Sequence, residues 1–169
     1  KLSGEYAKDV VAIRRHLHTH PELSYQEFNT AKLVMEKLTS FGLKPQAGVA
    51  KTGVVVMNEG QNPSKKVIAL RADLDALPIH ELNNVPYKSQ NPGVMHACGH
   101  DVHTSSLLGT ARILNQLKTR FEGSVKLIFQ PGEEKLPGGA SLMIKEGVLE
   151  NPKPNAVLGQ HVMPQIDAG

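Results

Sequence analysis

The stretch that decides the fold is Val67-Ile68-Ala69-Leu70-Arg71-Ala72-Asp73-Leu74-Asp75. Its first six residues form a short, nearly continuous apolar run, which is typical of a strand inside a sheet rather than of a helix. A similar run covers residues 53–58, and residues 125–130 alternate apolar and polar side chains up to Pro131. A fourth strand is predicted over residues 155–161. These four segments predict the sheet.

Helical patterns alternate with the strands. Apolar residues recur at helical spacing over residues 5–18, 103–118 and about 138–149. A further apolar stripe runs from Phe28 to Phe41; we expect it to begin at a capping box formed by Ser24 and Glu27 and to end at Gly42. The interleaved order predicts a three-layer α/β/α fold with a largely parallel, mixed sheet.

Composition excludes several classes of function. With 169 residues, 40% hydrophobic content and 21% charged residues, the chain is an ordinary globular protein of about one domain. Basic residues are scattered along the chain, and only 4% of all residues are aromatic, so we expect no nucleic-acid partner. No apolar run reaches the roughly 18 residues of a membrane span. The single cysteine permits no internal disulfide and favours a reducing compartment, so we expect a cytoplasmic protein with no membrane partner.

The chemistry of the chain lies in three short segments, residues 95–101, 131–134 and 159–162. Together they supply a thiol, imidazoles and two adjacent carboxylates, the ligand set of a zinc-class metal centre with a spare acid for proton transfer. Each segment follows a predicted strand or opens a predicted helix. In an open α/β sheet that edge is where binding sites are built.

Cys98 and His100 are two residues apart, so in an extended segment both project to the same face, just before a helix start. This arrangement suits two metal ligands. Taken alone, Cys98 is better explained as a buried apolar residue. The crowding of His100, Asp101 and His103 at the same helix start favours ligands.

Glu133 and Glu134 follow a predicted strand. Consecutive side chains in extended backbone diverge, so one carboxylate could bind metal while the other acts as general base. The alternative is a solvated acidic loop. His161 comes at the end of an apolar strand, where a hydrogen-bonded structural histidine is the usual alternative to a ligand.

The roles of two further segments are undecided from the sequence. Asp73 and Asp75 could orient ligands from behind, or Asp73 could pair with Arg71 or cap a turn. The histidine-rich tract at residues 16–22 ends a helix, and we interpret it as mainly structural. The irregular stretch at residues 73–98 is longer than an ordinary loop and is expected to be functional or locally structured.

The ordered motifs resemble those of one enzyme family. They are residues 15–18, 21–23 with Glu27, 71–78, 95–101, 130–134 and His161. The chain is similar over nearly its whole length to the N-acyl-amino-acid amidohydrolases, which include hippurate hydrolases, auxin-conjugate hydrolases and carboxypeptidase-like relatives. These belong to the zinc aminoacylase/metallopeptidase superfamily.

The resemblance implies a two-metal hydrolase that cleaves the amide bond of N-acyl amino acids. By similarity, Cys98, His100, Glu134 and His161 are metal ligands, with Cys98 bridging, and Glu133 is the general base. Asp75 matches a supporting aspartate of the catalytic site. Zn, Mn, Co and Ni all suit such a mixed sulfur, nitrogen and oxygen site. The family also implies a homodimer or homotetramer.

The chain departs from the family in length and at one position, Gly132. Family members are more than twice as long, so residues 1–169 are expected to be the N-terminal portion of the catalytic domain. The lid or dimerisation domain and the C-terminal portion, which brings one more ligand histidine, are not in it. Gly132 stands where relatives often carry alanine, a change expected to be harmless. Asp73 stands where the broader superfamily has a histidine, which agrees with the cysteine-containing branch of that superfamily.

Two rival functions stay open. The chain could be a non-catalytic metal-binding or scaffold fragment of such an enzyme. Alternatively, Cys98 could be a nucleophile with His100 as its base. We disfavour the second, because two residues on one face rarely give the geometry that a nucleophile and its base need.

Overall fold

A computed structural model describes residues 2–166. Its elements, in chain order, are α1 Leu2–Thr19, α2 Phe28–Ser40, β1 Gln46–Val49, β2 Gly53–Glu59, β3 Val67–Asp73, α3 His100–Gln116, β4 Ser124–Gln130, α4 Gly139–Lys145 and β5 Ala156–Gly159. Every predicted helix and strand is present, and β1 is an addition that the sequence patterns did not predict. No helix among the described residues is both long and apolar enough to cross a membrane.

The strands form one sheet in the order β1-β2-β4-β3-β5. Strand β3 pairs in parallel with β4 and with β5, whereas β2 pairs antiparallel with β4 and with β1. The predicted α/β fold with a mixed sheet is confirmed. Among the described residues, two pairs of neighbouring strands run parallel and two run antiparallel. Only residues 50–52 join β1 to β2, and so short a connection can link antiparallel strands only.

The sheet lies between two helical layers, as predicted. Helices α1, α2 and α3 pack on one face, where the core includes Leu38, Leu108, Leu127 and Phe129, each fully buried. On the other face, Met143 of α4 packs in a smaller cluster. Burying these apolar side chains is the main stabilising contribution to the fold.

The three parallel strands end at one edge of the sheet. In the register, Asp73 at the end of β3 lies opposite Gln130 at the end of β4, and Arg71 lies opposite Gly159 at the end of β5. The segments that follow β3, β4 and β5 therefore start side by side.

The predicted capping box is wrong. Helix α2 begins at Phe28, which makes Glu27 the N-cap and leaves Ser24 three residues outside, too far to cap. Glu27 makes no capping hydrogen bond with its side chain. The carboxylate of Glu22 instead accepts from the backbone N–H groups of Asn29 at 3.2 Å and Thr30 at 2.8 Å. At the other end, Gly42 follows the helix with a left-handed φ of 84°, as predicted.

Candidate metal centre

His100 is the centre of the site. It is the first residue of α3, and only 1% of it is exposed. Its Nδ1 donates a hydrogen bond to the backbone carbonyl of Asp75 at 2.8 Å and lies 3.3 Å from a carboxylate oxygen of the same residue. This contact places a proton on Nδ1, so in the neutral imidazole the lone pair is on Nε2. Nε2 is buried and has no hydrogen-bond partner.

The predicted ligands surround this nitrogen. The Sγ of Cys98 lies 3.4 Å from Nε2 of His161, and an Oε1 oxygen of Glu134 lies 3.7 Å from Nε2 of His100. Ligand atoms lie within 4.8 Å of one another in the set Cys98, His100 and His161, and in the set His100, Glu133 and Glu134. Two donors of one tetrahedral zinc ion, each about 2.0–2.3 Å from it, are roughly 3.3–3.7 Å apart.

The donors fit a divalent metal. A thiol, two imidazoles and two carboxylates form the mixed donor set that zinc-class ions accept in proteins. The unpaired Nε2 of His100 supports the same conclusion, because a buried polar atom without a partner is costly unless something binds it.

Two segments of the site do not have the extended backbone that the sequence suggested. Gly99 adopts a left-handed φ of 83°, so Cys98 and His100 reach the site around a tight turn rather than along a strand. Glu133 and Glu134 also lie in a turn, and both face His100 instead of diverging. His161 lies two residues beyond the end of β5, on an exposed loop.

Asp75 supports the site from behind. One carboxylate oxygen accepts from Ser24 Oγ at 2.6 Å and from the backbone N–H of Glu134 at 3.0 Å. Burial favours a raised pKa for Asp75, but hydrogen bonds from His100, Ser24 and the 133–134 backbone outweigh it and lower the pKa to about 2. Asp75 is therefore ionised and orients both His100 and the Glu134 backbone.

Asp73 makes the pair with Arg71 that the sequence left open, and it also holds His103. One oxygen accepts from Nδ1 of His103 at 2.7 Å, and the other pairs with Arg71 at 2.6 Å. Burial opposes ionisation, yet the hydrogen bond from His103 and the nearby cationic groups lower the pKa of Asp73. The His103 Nε2 in turn accepts from the backbone N–H of Val162 at 2.9 Å.

The holding role of His103 was missed by sequence reasoning. The signal that could have revealed it is spacing, because positions 100 and 103 share one face of a helix. Through Val162, His103 fixes the peptide that follows His161.

The Cys98 thiol is surrounded by negative charge. Burial raises its pKa to about 11, with further contributions from a hydrogen bond with Glu134 and from the carboxylates of Glu133 and Asp73. Without a cation the thiol stays protonated. A coordinated metal ion reverses this, because it deprotonates a ligating thiol.

Gly132 is more constrained than expected. It has a φ of 53°, and a Cβ at this position would overlap the ring of Tyr25. An alanine here would therefore require Tyr25 to move.

Known proteins share both this sequence and this fold. The N-acyl-L-amino acid amidohydrolase of Geobacillus stearothermophilus is 48% identical over all 169 residues, which span 45% of its length. The hippurate hydrolase of Campylobacter jejuni is 48% identical over 96% of the chain and 40% of its own length. The crystal structure of the Bacillus subtilis YXEP protein, a dinuclear metal-binding peptidase of the M20 family, superposes with a TM-score of 0.89 at 42% identity. That superposition covers 96% of this chain and 44% of YXEP.

The chain thus spans well under half the length of these relatives. The profile of Peptidase family M20/M25/M40 matches residues 69–169, which include all four candidate ligands as well as Asp75 and Glu133. The resemblance inferred from the ordered motifs is confirmed: the chain belongs to Peptidase family M20/M25/M40.

Proposed function

We propose that this chain is the N-terminal portion of the catalytic domain of a metal-dependent hydrolase that cleaves the amide bond of N-acyl amino acids. The observation that carries the proposal is that a thiol, a second imidazole and two carboxylates lie close to the His100 imidazole, whose buried Nε2 has no hydrogen-bond partner. Relatives named amidohydrolase and hippurate hydrolase, at 48% identity, support the reaction class.

Cys98, His100, Glu134 and His161 would hold two divalent ions, chosen from Zn, Mn, Co and Ni. A further histidine from the rest of the protein would complete the set. When bound, such ions act as Lewis acids that polarise an amide carbonyl and make water more acidic.

Glu133 is the residue we assign to proton transfer. Its carboxylate is exposed and lies beside His100 and Glu134. It accepts a proton from the attacking water as the oxygen bonds to the carbonyl carbon. It then returns that proton to the leaving nitrogen as the C–N bond breaks, which yields a carboxylic acid and a free amino acid. Asp75 keeps His100 oriented throughout.

The test is Glu133→Gln in the full-length protein. We expect hydrolysis of an N-acetyl amino acid to fall by about 10²–10⁴-fold, since the base is lost, while metal content measured by elemental analysis stays unchanged. Glu36→Gln, an exposed residue of α2, is the matched control. Loss of metal in Glu133→Gln would show that the roles of Glu133 and Glu134 are exchanged.

A second candidate is the non-catalytic metal-binding fragment. It is favoured by one observation, that the chain spans 40–45% of its relatives. Assays of the 169-residue chain against N-acyl amino acids with added divalent metal separate the two, because turnover by this chain contradicts the fragment interpretation.

One contact would favour the rival function of a cysteine hydrolase: the Sγ of Cys98 lies 3.4 Å from Nε2 of His161. The partner is thus not His100, the base first considered. The raised pKa of the thiol argues against a nucleophile, which needs a lowered one. Activity that resists a chelator but is destroyed by thiol alkylation would revive this rival.

Location and assembly complete the proposal. We infer a cytoplasmic protein, because a free thiol ligand persists best in a reducing compartment. We also infer a homodimer or homotetramer of the full-length protein, by similarity to the family.

A further inference from the structure

Glu27 has a carboxylate that the proposed reaction does not use. The residue is 0% exposed, and it joins none of the ion pairs found among residues 2–166. Burying an ionisable group without a cation is costly, and an apolar side chain of similar size would fill the same space at less cost. Packing alone therefore does not account for a carboxylate here.

Both oxygens of Glu27 are occupied. One accepts from Thr52 Oγ1 at 2.6 Å, and the other accepts from the backbone N–H of Gly132 at 2.8 Å. Because Glu22 caps helix α2, the Glu27 side chain is free to reach across to the turn after β4. Gly132 is buried, so its N–H would be unsatisfied without this acceptor.

The Gly132 turn carries Glu133 and Glu134. Its other attachments are the Gly132 carbonyl, which accepts from Gly139 N–H at 2.9 Å, and the Glu134 N–H, which donates to Asp75 at 3.0 Å. The Tyr25 ring packs directly on Gly132, and its hydroxyl donates to the Lys135 carbonyl at 3.1 Å. The Glu27 bond thus fixes the backbone immediately before Glu133, and the Asp75 bond fixes it immediately after.

We propose that Glu27 is a positioning residue, which holds the turn of Glu133 and Glu134 in register with His100 through its hydrogen bond to the Gly132 N–H. This inference rests on the proposed function for its effect on catalysis, but its effect on metal affinity stands independently. A misplacement of about 1 Å at such a turn is enough to cost about 10²-fold in rate.

The experiment replaces Glu27 in the full-length protein by methionine, which keeps the volume but accepts no hydrogen bond, and by glutamine, which keeps a carbonyl acceptor. For Glu27→Met we expect kcat and Zn²⁺ affinity each to fall by about 10–100-fold, with KM changed by less than about threefold. Zn²⁺ affinity is measured by competition with a chromophoric chelator. Glu27→Gln should stay within about threefold of the wild type in both.

The matched control is Thr52→Val. It removes the other hydrogen bond of Glu27 and leaves the Gly132 bond intact. We expect its kcat and Zn²⁺ affinity to stay within about threefold of the wild type.

Two results would overturn the inference. One is a Glu27→Met protein whose Zn²⁺ affinity equals that of Thr52→Val, which would leave Glu27 a merely structural residue. The other is a Glu27→Gln protein that loses as much as Glu27→Met. A wild-type protein without hydrolytic activity would instead refute the proposed function, and the Zn²⁺ measurements would still decide the role of Glu27. If Glu27→Met does not fold, the Zn²⁺ affinities of Glu27→Gln and Thr52→Val are compared instead. A Zn²⁺ affinity that falls in Glu27→Gln but not in Thr52→Val would contradict the inference.

Discussion

Gly99 separates two of the proposed ligands and shapes the site at the scale of a single residue. Its φ of 83° lies in the left-handed region, and a Cβ added there would overlap the Cγ2 of Val162. Val162 follows His161 and is held by His103. Only a residue without a side chain lets the turn before α3 approach the loop after β5 this closely.

The substitution Gly99→Ala tests this. We expect it to lower Zn²⁺ affinity by about tenfold, because the displaced Val162 takes His161 with it. Gly48→Ala is the matched control, since Gly48 has a φ of 85° but open space where a Cβ would lie. Both variants should lose about 1 kcal/mol of stability through backbone strain in urea unfolding. Equal Zn²⁺ affinities in the two variants would show that the contact does not matter.

At the scale of elements, a buried polar cluster joins α1 to α3 and to the long segment between β3 and α3. Nδ1 of His18 lies 2.8 Å from a carboxylate oxygen of Asp101, and its Nε2 lies 3.2 Å from Glu81. Arg14 also pairs with Asp101 at 2.7 Å. The part of the histidine tract that is buried thus lies in a structural cluster, outside the metal centre.

This cluster makes stability depend on pH. The hydrogen bond to Asp101, helped by the one to Glu81, raises the pKa of His18 above 6.5 despite burial. Because the folded-state pKa is the higher one, the stabilisation is fully present below about pH 6.5 and is lost as pH rises through the folded-state pKa.

We therefore expect the stability difference between wild type and His18→Asn, measured by urea unfolding, to be about 2 kcal/mol at about pH 5.5 and smaller at about pH 8.5. His20→Asn, at an exposed site, is the control. A difference that grows with pH would contradict the assignment of a charged His18.

At the scale of the whole molecule, the candidate metal centre lies beside the end of β5, the least buried strand. All four residues of β5 are exposed, and Val157 and Leu158 are 51% and 58% exposed. The strand is attached by its parallel pairing with β3, and His161 lies just beyond it. A metal ion shared by Cys98 and His161 would therefore add a cross-link between the segment before α3 and the loop after β5.

Metal binding should accordingly stabilise this chain. With free Zn²⁺ at about 100 times its Kd, the expected gain is about 2.7 kcal/mol, which corresponds to a rise in Tm of roughly 5–10 °C. Calorimetry with and without a chelator measures it. The gain should shrink sharply in His161→Ala but not in His80→Ala, a second exposed histidine. An undiminished gain in His161→Ala would remove His161 from the ligand set.

The sequence by itself determined the elements and the chemistry that they carry. Apolar spacing predicts the helices, the continuous run at residues 67–72 predicts the central strand, and ordered motifs predict the family. Each helix or strand signal, and each single motif, is a short run of residues, so it can be read without knowing what packs against it.

Only the tertiary structure decided which polar groups meet. Ser24 and Glu27 have the spacing of a capping box, but they bond Asp75 and the Gly132 backbone, partners 51 and 105 residues away. His103 similarly finds the Val162 N–H 59 residues away. Such partners are brought together by sheet order and helix packing, which no local pattern encodes, and a polar side chain bonds whichever group the fold buries beside it.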